Sequence, residues 1–218
     1  MNKIYIMDAG VLSDDRLYEY TLSGLSEYRR ERVENFKQRS VKNQRLAAGV
    51  LLSRLLGELG ICEKHVRYET GENGKPYLPD YPELHISLSH SGSLAVACAG
   101  DMRVGCDIQK IGTLKTAVAE RFFCKSEYMR ILSAPPCLAA QEFFRLWTFK
   151  ESYIKLLGKG LSMPLNSFEI DFGDKITVAE SSEAGKCFFR EYSYAPGFCI
   201  AQCCEGQEPC AEIKEINI

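Results

Sequence analysis

Residues 84–109 read LHISLSHSGSLAVACAGDMRVGCDIQ. Three runs within this stretch, Leu84 to Ser89, Ser93 to Ala99 and Arg103 to Ile108, are rich in residues typical of strands, and two short turns containing glycine separate them. Consecutive strands joined by short turns pair most simply side by side and in opposite directions. The stretch therefore predicts an antiparallel meander of three strands.

Helical patterns precede these strands. Ser26 is placed to cap a helix that runs to about Phe36, and Ser40 to cap a second helix that ends at Gly60. The second helix carries leucines at helical spacing, namely Leu51, Leu52, Leu55, Leu56 and Leu59. Both helices are expected to pack on the sheet that the meander forms.

The second half of the chain repeats this order of elements. Helical patterns cover about 114–123 and 138–157, and Gly158-Lys159-Gly160 stops the second of them. Strand-like runs follow at 168–172, 175–178, 186–192 and 198–204. Helices followed by strands, twice over, predict an α+β fold with two similar lobes, residues 1–102 and 103–218.

The composition excludes several classes of function. With 218 residues, 45% of them hydrophobic and 26% charged, the chain is expected to be a soluble protein with a well-formed core. Its formal net charge of −2 gives no overall electrostatic reason to bind nucleic acid or an acidic membrane surface. No apolar run approaches the roughly 18 residues of a spanning helix, and the early Asp8 argues against a signal peptide. We expect a cytoplasmic protein that binds neither nucleic acid nor membrane.

The chain contains ten cysteines. Without an export signal they are expected to be reduced and to act as small core residues. Four of them lie close together in sequence and permit a zinc site as an alternative, namely Cys199, Cys203, Cys204 and Cys210. The first three lie in a strand-like run, which favours packing.

Two polar side chains share one face of the predicted strand 104–109. Side chains alternate along a strand, so Gly105, Asp107 and Gln109 point to the same side. The Cα atoms of Asp107 and Gln109 are then about 6.6 Å apart, which allows two oxygens to converge on one cation, and Gly105 leaves room beside them. The alternative is an exposed strand end with two solvated side chains.

The predicted helix 138–157 carries an acid and a base on one stripe. Trp147, Glu151 and Lys155 follow each other at intervals of four residues. The alternative is an ordinary surface ion pair worth a few tenths of a kcal/mol. The stripe starts at the chain's only tryptophan, and this indicates that it faces the protein, where a carboxylate needs a metal or a cation beside it.

Potential anion-binding groups lie upstream. The segment 84–92 delivers Ser89 and His90 into a turn whose amides, hydroxyl and imidazole suit phosphate oxygens. Lys75 lies on a Gly-Lys-Pro turn, and the first helix carries a basic patch made of Arg29, Arg30 and Arg32. Taken singly, such turns and basic helix faces are usually only structural or solvated.

Taken together and in this order, these segments resemble the 4′-phosphopantetheinyl transferase superfamily, specifically the two-lobed type that activates surfactin synthetase. The match covers nearly the whole chain. The motifs that carry it are Gly74-Lys75-Pro76-Tyr77, Ser87-Leu88-Ser89-His90-Ser91, Val104-Gly105-Cys106-Asp107-Ile108-Gln109, Glu120-Arg121-Phe122-Phe123, and Trp147 to Lys155 followed by Gly158-Lys159-Gly160.

The resemblance implies an active site in a cleft between two pseudo-symmetric lobes, each an antiparallel sheet packed with helices. Family members bind coenzyme A (CoA) there and hold its pyrophosphate with Mg²⁺. The positions of the metal carboxylates fall on Asp107 and Glu151. Many family members carry an acid where this chain has Gln109, so the amide is expected to ligate the metal more weakly or through a water.

The same resemblance assigns contacts to CoA. The residues implied are Lys75, Ser89, His90 and Lys155, with Arg29, Arg32 and Arg45 as candidates for its 3′-phosphate. Lys155 would neutralise the pyrophosphate as 3′,5′-ADP departs, and Glu151 would help to deprotonate the accepting serine.

The implied activity is transfer of 4′-phosphopantetheine from CoA to a serine of an apo acyl- or peptidyl-carrier protein. The alternative is a silent relative that binds CoA or a carrier without transfer, and the presence of Glu151 and Lys155 favours activity. The carrier is expected to dock on residues 110–123 together with the lip of the cleft. A monomer is expected, because the two lobes supply within one chain the interface that smaller relatives make between subunits.

Overall fold

A computed structural model of the chain describes residues 2–179 and 184–218. The α-helices in these ranges are α1 Asp15–Ser23, α2 Glu27–Glu34, α3 Arg39–Gly57, α4 Thr116–Phe122, α5 Lys125–Ser133 and α6 Ala139–Leu157. The strands are β1 Asn2–Asp8, β2 Glu69–Thr70, β3 Pro76–Tyr77, β4 His85–Ser91, β5 Leu94–Gly100, β6 Val104–Lys110, β7 Glu169–Phe172, β8 Ile176–Ala179, β9 Cys187–Glu191, β10 Phe198–Glu205 and β11 Lys214–Glu215.

The larger strands form two sheets. The first has the order β11-β1-β5-β4 and the second has the order β6-β10-β9-β8-β7, while β2 and β3 form a separate hairpin. Neighbouring strands run antiparallel, except that β11 runs parallel to β1. The predicted α+β fold with two helix-packed sheets is confirmed, although the parallel pair was not foreseen.

Each sheet is covered by one 19-residue helix. Helix α3 packs Leu51, Leu52 and Leu55 against the small side chains of β5 in one apolar cluster. Helix α6 does the same with aromatic residues such as Phe149 on the second sheet. A third cluster joins the opposite faces of β1 and β5 to β6 and β10, so the two sheets also pack on each other. Burial of each leucine stabilises the fold by about 2 kcal/mol.

The predicted three-strand meander is wrong in one respect. Strands β4 and β5 form the expected hairpin, but β6 pairs with β10 of the second sheet. Strands β4 and β6 are instead joined by a serine seam, in which hydroxyls of β4 accept backbone N–H groups of β6. Its bonds are Cys106 N to Ser87 Oγ at 3.1 Å, Ile108 N to Ser89 Oγ at 3.4 Å and Lys110 N to Ser91 Oγ at 3.0 Å. The two sheets therefore meet through side chains rather than through a backbone ladder.

The helix ends agree with the prediction at some caps and differ at others. The Ser26 hydroxyl accepts the Arg29 N–H at the start of α2, as predicted. Helix α3 begins before Ser40, with no side-chain cap, and ends at Gly57, which leaves Leu59 outside it and 37% exposed. Helix α6 ends at Gly158, whose φ of 70° lies in the left-handed region that glycine favours.

Several strands and helices were not predicted, namely β1, β2, β3, β11, α1 and α5. The pairing of β11 with β1 brings Lys214 beside Tyr5, so the chain returns to the first sheet after completing the second. The division into lobes at residue 102 stays a prediction. None of the helices in the described ranges combines the length and the apolar character that crossing a bilayer requires.

Three of the four clustered cysteines lie on β10, where they point to different faces, and Cys210 lies beyond its end. Cys203 packs in the cluster beneath α6, whereas Cys204 packs in the cluster between the sheets. Adjacent strand residues point in opposite directions, so these two thiolates do not converge on one ion. Cys199 instead places its sulfur 3.8 Å from the Gln141 carbonyl oxygen.

Candidate active site

The site is built where α6 crosses β6, and Gly105 permits that crossing. A Cβ atom at residue 105 would lie 1.9 Å from the Ser152 carbonyl oxygen and 2.5 Å from the Leu156 nitrogen. The helix backbone therefore rests directly on the strand. The expectation that Gly105 leaves room for a cation is wrong, because the helix backbone fills this space.

Asp107 is the centre of the site. Asp107 is 1% exposed. Its carboxylate accepts three hydrogen bonds. Oδ1 accepts from Ser89 Oγ at 2.6 Å and from Lys155 Nζ at 2.5 Å. Oδ2 accepts from Gln109 Nε2 at 2.9 Å. The strand face and the helix stripe that the sequence predicted thus converge on one carboxylate.

Glu151 lies beside this carboxylate and is half-buried. Burial raises the pKa of Glu151, and the negative charge of Asp107 raises it further, while Lys155 acts in the opposite direction. Among the described residues no hydrogen bond reaches the Glu151 carboxylate. A half-buried carboxylate next to a second one, without a donor, is suited to take up a proton or to share a cation.

Lys155 stays charged at neutral pH. Burial is the largest single influence and alone would lower the pKa of Lys155, but the ion pair with Asp107 at 2.5 Å, together with the nearby Cys106 and Glu151, outweighs burial and raises it. The side chain is 28% exposed, so its ammonium can still reach a ligand in the cavity.

A cavity of about 530 Å³ opens above these groups. Its volume suits a cofactor-sized ligand. All the site residues proposed from the sequence line it, namely Arg29, Arg32, Arg45, Lys75, Ser89, His90, Asp107, Gln109, Glu151 and Lys155. The cavity therefore brings together residues from elements as distant in sequence as α2 and α6.

The wall of this cavity formed by α2 and α3 is basic. Burial lowers the pKa of Arg45, and the nearby charge of Arg32 lowers it further. Within the described part of the chain, Nε and Nη2 of Arg29 and Nε of Arg45 are buried without a hydrogen-bond partner. Guanidinium groups that repel each other and lack acceptors indicate a site for an anion.

His90 is neutral at physiological pH. Burial lowers the pKa of His90 to about 4, and the charges of Arg45 and Lys155 contribute in the same direction. A neutral imidazole offers one N–H donor to an anion and no net charge. An anion in the cavity would oppose the effect of the two cations and raise this pKa.

The ammonium group of Lys75 is already partnered. Nζ donates to the carbonyl oxygens of Val104 and Leu156, each at 3.2 Å, and so ties β6 to the end of α6. Burial lowers the pKa of Lys75 to about 8. Lys75 therefore lines the cavity while its charged end holds the strand and the helix together.

The donor set beside Asp107 fits a hard divalent cation. Carboxylate oxygens of Asp107 and Glu151 and the amide oxygen of Gln109 are ligands of the kind that Mg²⁺ takes, together with water and phosphate oxygens. The described residues contain no group of three or more His, Cys, Asp or Glu side chains placed to hold a metal. Two carboxylates leave the remaining ligands to the amide, water and a bound anion.

Sequence reasoning missed the residues that support the site. Tyr28 and Tyr68 stack with ring centroids 4.6 Å apart, and Arg29 lies over the Tyr68 ring. The buried Glu63 bonds to Tyr68 across five residues and to Ser26 across 37. No periodicity or motif connects positions at such spacings, so the sequence held no signal for them.

The chain is similar in sequence to known phosphopantetheinyl transferases. The family model of the 4′-phosphopantetheinyl transferase superfamily matches residues 103–203. The chain is 34% identical over 185 residues to the 4′-phosphopantetheinyl transferase ffp of Bacillus subtilis, covering 84% of this chain and 83% of the relative. It is 31% identical over 188 residues to the 4′-phosphopantetheinyl transferase Sfp of Bacillus subtilis strain 168, covering 85% and 84%.

Among solved structures, holo-[acyl-carrier-protein] synthase of Thermotoga maritima matches 50% of this chain and 64% of its own, with 18% identity and a TM-score of 0.41. That likeness is too slight to support a conclusion. The two Bacillus relatives are each at least 31% identical over more than four fifths of both chains. The chain therefore belongs to the 4′-phosphopantetheinyl transferase superfamily.

Proposed function

We propose that this protein transfers the 4′-phosphopantetheine group of CoA to a serine hydroxyl of an apo acyl- or peptidyl-carrier protein and releases 3′,5′-ADP. The observation that carries this proposal is the convergence of Asp107, Glu151 and Lys155 in a cavity whose other wall is an arginine-rich anion site. Relatives that are similar over most of the chain bear the name of this activity.

The reaction exchanges one phosphorus–oxygen bond for another. The serine oxygen attacks the phosphorus that carries the pantetheine, and the bond to the bridging oxygen breaks with its electron pair on 3′,5′-ADP. Glu151 receives the serine proton, directly or through a water, and its raised pKa makes it a better base. Lys155, held by Asp107, neutralises charge that develops on the departing oxygen.

Asp107, Glu151 and the Gln109 amide oxygen would hold Mg²⁺ at this site. The ion, when bound, neutralises charge on the CoA pyrophosphate. The Gln109 amide now turns its nitrogen toward Asp107 Oδ2, so ligation through its oxygen requires a rotation of the amide. The charges of Asp107 and Glu151 are therefore proposed as the main anchors, with Gln109 as a weaker one.

The basic wall is proposed to bind the nucleotide part of CoA. Arg29, Arg32 and Arg45 supply charge for the 3′-phosphate, and the neutral His90 supplies a donor. Ser89 orients Asp107 and faces the same cavity. Lys75 is proposed to shape the cavity wall rather than to bind a phosphate through its charge, because its ammonium group donates to two backbone carbonyls.

The carrier protein is proposed to dock on residues 110–123. Lys115, Arg121 and Phe122 are exposed there, and the Arg121 guanidinium lies 5.2 Å from the Phe122 ring centroid. Basic side chains beside an apolar ring suit a partner that is acidic around an apolar helix.

The proposal is tested by incubating an apo carrier protein with this enzyme, CoA and Mg²⁺, and weighing the carrier by mass spectrometry. Active enzyme adds one phosphopantetheine group per carrier, and omission of CoA is the control. Binding of CoA without any mass gain on fatty-acid, polyketide and peptide carriers would identify a silent relative instead.

Changes at Gln109 should tune metal dependence. Gln109→Glu adds a negative charge beside Asp107 and should lower the Mg²⁺ concentration for half-maximal rate several-fold, with a smaller effect on kcat at saturating metal. Gln109→Ala should be mild and Asp107→Ala severe in the same titration of initial rate against Mg²⁺. Abolished turnover in Gln109→Ala together with a tolerated Asp107→Ala would show that other groups organise the metal.

His90→Ala and Lys155→Ala should impair different steps. His90 faces the basic wall, so its loss should mainly raise the KM for CoA. Lys155 should act most as charge develops, so its loss should mainly lower kcat, by roughly 10²-fold. Steady-state kinetics with CoA as the varied substrate separate the two effects, and the reverse pattern would mean that the roles are exchanged.

A further inference from the structure

Arg29 is unusually buried for a charged side chain that has no carboxylate partner in the described part of the chain. The residue is 8% exposed, and its Nε and Nη2 have no hydrogen-bond partner among the described residues. Its guanidinium carbon lies 4.8 Å from the centroid of the Tyr68 ring and 5.6 Å from that of Tyr28. The side chain also lines the cavity of the active site. A buried cation of this kind needs an anion, and the cavity is the place from which one can reach it.

The carboxylate of Glu63 fixes the surroundings of Arg29 without facing the cavity. Glu63 is 2% exposed, and its Oε1 accepts the Tyr68 hydroxyl at 2.7 Å. Its two oxygens also accept the hydroxyl of Ser26 at 2.7 Å and the backbone N–H of Ser26 at 2.8 Å. Neither Glu63 nor Tyr68 is among the described residues that line the cavity.

These bonds hold Arg29 from two sides. Ser26 caps the first turn of α2, where its Oγ accepts the N–H of Arg29, so Glu63 fixes the backbone that carries the arginine. Tyr68 lies beneath the guanidinium, so the same carboxylate also fixes the ring on which it rests. A side chain held in one orientation before binding loses less freedom when its ligand arrives.

We propose that Glu63 and Tyr68 are positioning residues that aim Arg29 at the 3′-phosphate of CoA and so give the enzyme its preference for CoA over 3′-dephospho-CoA. This inference rests on the proposed function. Arg29 lies on α2 near Arg32. The residues proposed to contact the reacting pyrophosphate lie on β6 and α6 instead. The phosphate that Arg29 meets is therefore the one that takes no part in the reaction.

The test compares KM and kcat for CoA and for 3′-dephospho-CoA, using the full-length enzyme, a carrier protein and Mg²⁺. Arg29→Met should raise the KM for CoA at least about tenfold, as expected for loss of a charge-assisted contact, and change the KM for 3′-dephospho-CoA less than about twofold. Glu63→Gln should give the same pattern with a smaller increase, and kcat should stay near the wild-type value. The double variant should be no worse than Arg29→Met, because Glu63 acts through Arg29.

Tyr68→Phe removes the hydroxyl that Glu63 holds but keeps the ring and leaves Ser26 untouched, so it tests the proposal even if Glu63→Gln fails to fold. It should raise the KM for CoA about twofold or more and spare 3′-dephospho-CoA. Tyr18→Phe is the matched control, because Tyr18 likewise donates to a glutamate, Glu34, at 2.7 Å and carries an arginine, Arg39, over its ring, away from the cavity. This control should alter neither KM.

Several results would overturn the proposal. Equal increases of both KM values in the Tyr68 and Glu63 variants would show a purely structural role. An unchanged ratio of the two KM values in Tyr68→Phe, or additive effects of Glu63→Gln and Arg29→Met, would also refute it. Failure of the wild-type enzyme to transfer from either donor would instead refute the proposed function.

Discussion

Replacement of Glu151 by glutamine is expected to reduce phosphopantetheine transfer by roughly 10²-fold or more, because it removes both a metal charge and the proposed base. The amide keeps the size of the side chain, so the cavity and the basic wall around Arg29 should be preserved. Binding of CoA should therefore change much less than kcat. Single-turnover transfer to a carrier, with CoA affinity measured separately by calorimetry, separates the two effects.

The stability of Glu151→Gln provides the control. Burial and the neighbouring Asp107 both raise the pKa of Glu151, so its ionised form is disfavoured in the folded protein. Without metal, the variant should melt at the same temperature as the wild-type protein or higher at pH 7. Near-wild-type turnover at saturating Mg²⁺ would refute the role of Glu151, and a lowered melting temperature would point to misfolding instead.

Gly105→Ala is expected to be the most damaging small substitution in the site. The added methyl group would lie 1.9 Å from the Ser152 carbonyl oxygen, and a helix backbone cannot yield as the tip of a flexible side chain can. Helix α6 must move away from β6, and this separates Glu151 and Lys155 from Asp107. We expect a loss of about 3 kcal/mol or more in the free energy of unfolding, with transfer activity lost as well.

Gly57→Ala is the matched control for this substitution. Gly57 lies at the end of α3, and a Cβ atom there would meet no atom within 4 Å. Alanine should therefore stabilise the protein by up to about 1 kcal/mol, through helix propensity and a less flexible unfolded chain. Urea unfolding of both variants measures the two changes. A Gly105→Ala protein as stable as the wild type would show that the crossing of α6 and β6 is looser than the structure indicates.

The elements predicted best were those whose signals are local. The Ser26 cap and the left-handed glycine at Gly158 depend on a few neighbouring residues. The pairing partner of a strand does not depend on neighbouring residues alone. Period-two alternation in Val104–Lys110 predicts a strand, but it does not indicate which sheet that strand joins. Strand Asn2–Asp8 went unpredicted for a related reason, since its partners lie near residues 94–100 and 214.

More of the residues at the candidate site than of the strand pairings around it could be predicted from the sequence. The spacing of Asp107 and Gln109 on a strand and of Glu151 and Lys155 on a helix fixed which side chains share a face. That the two faces meet came from the resemblance of ordered motifs, since alternation and helical spacing concern one element at a time. The partners of Lys75 are backbone carbonyls, which every residue has, so no pattern of residue types encodes them.

The pairing of β11 with β1 has a consequence for synthesis of the protein. At about 5–20 residues per second, roughly 10–40 s pass between translation of Ile6 and of its partner Glu215. Strand β5, which is translated nearly halfway through this interval, covers one edge of β1, while the edge that β11 will occupy stays open on the nascent chain. An open edge is a template for pairing with other chains. Ribosomes that stall before Lys214 should therefore release aggregation-prone fragments, and the yield of folded enzyme should depend on how quickly translation passes that residue.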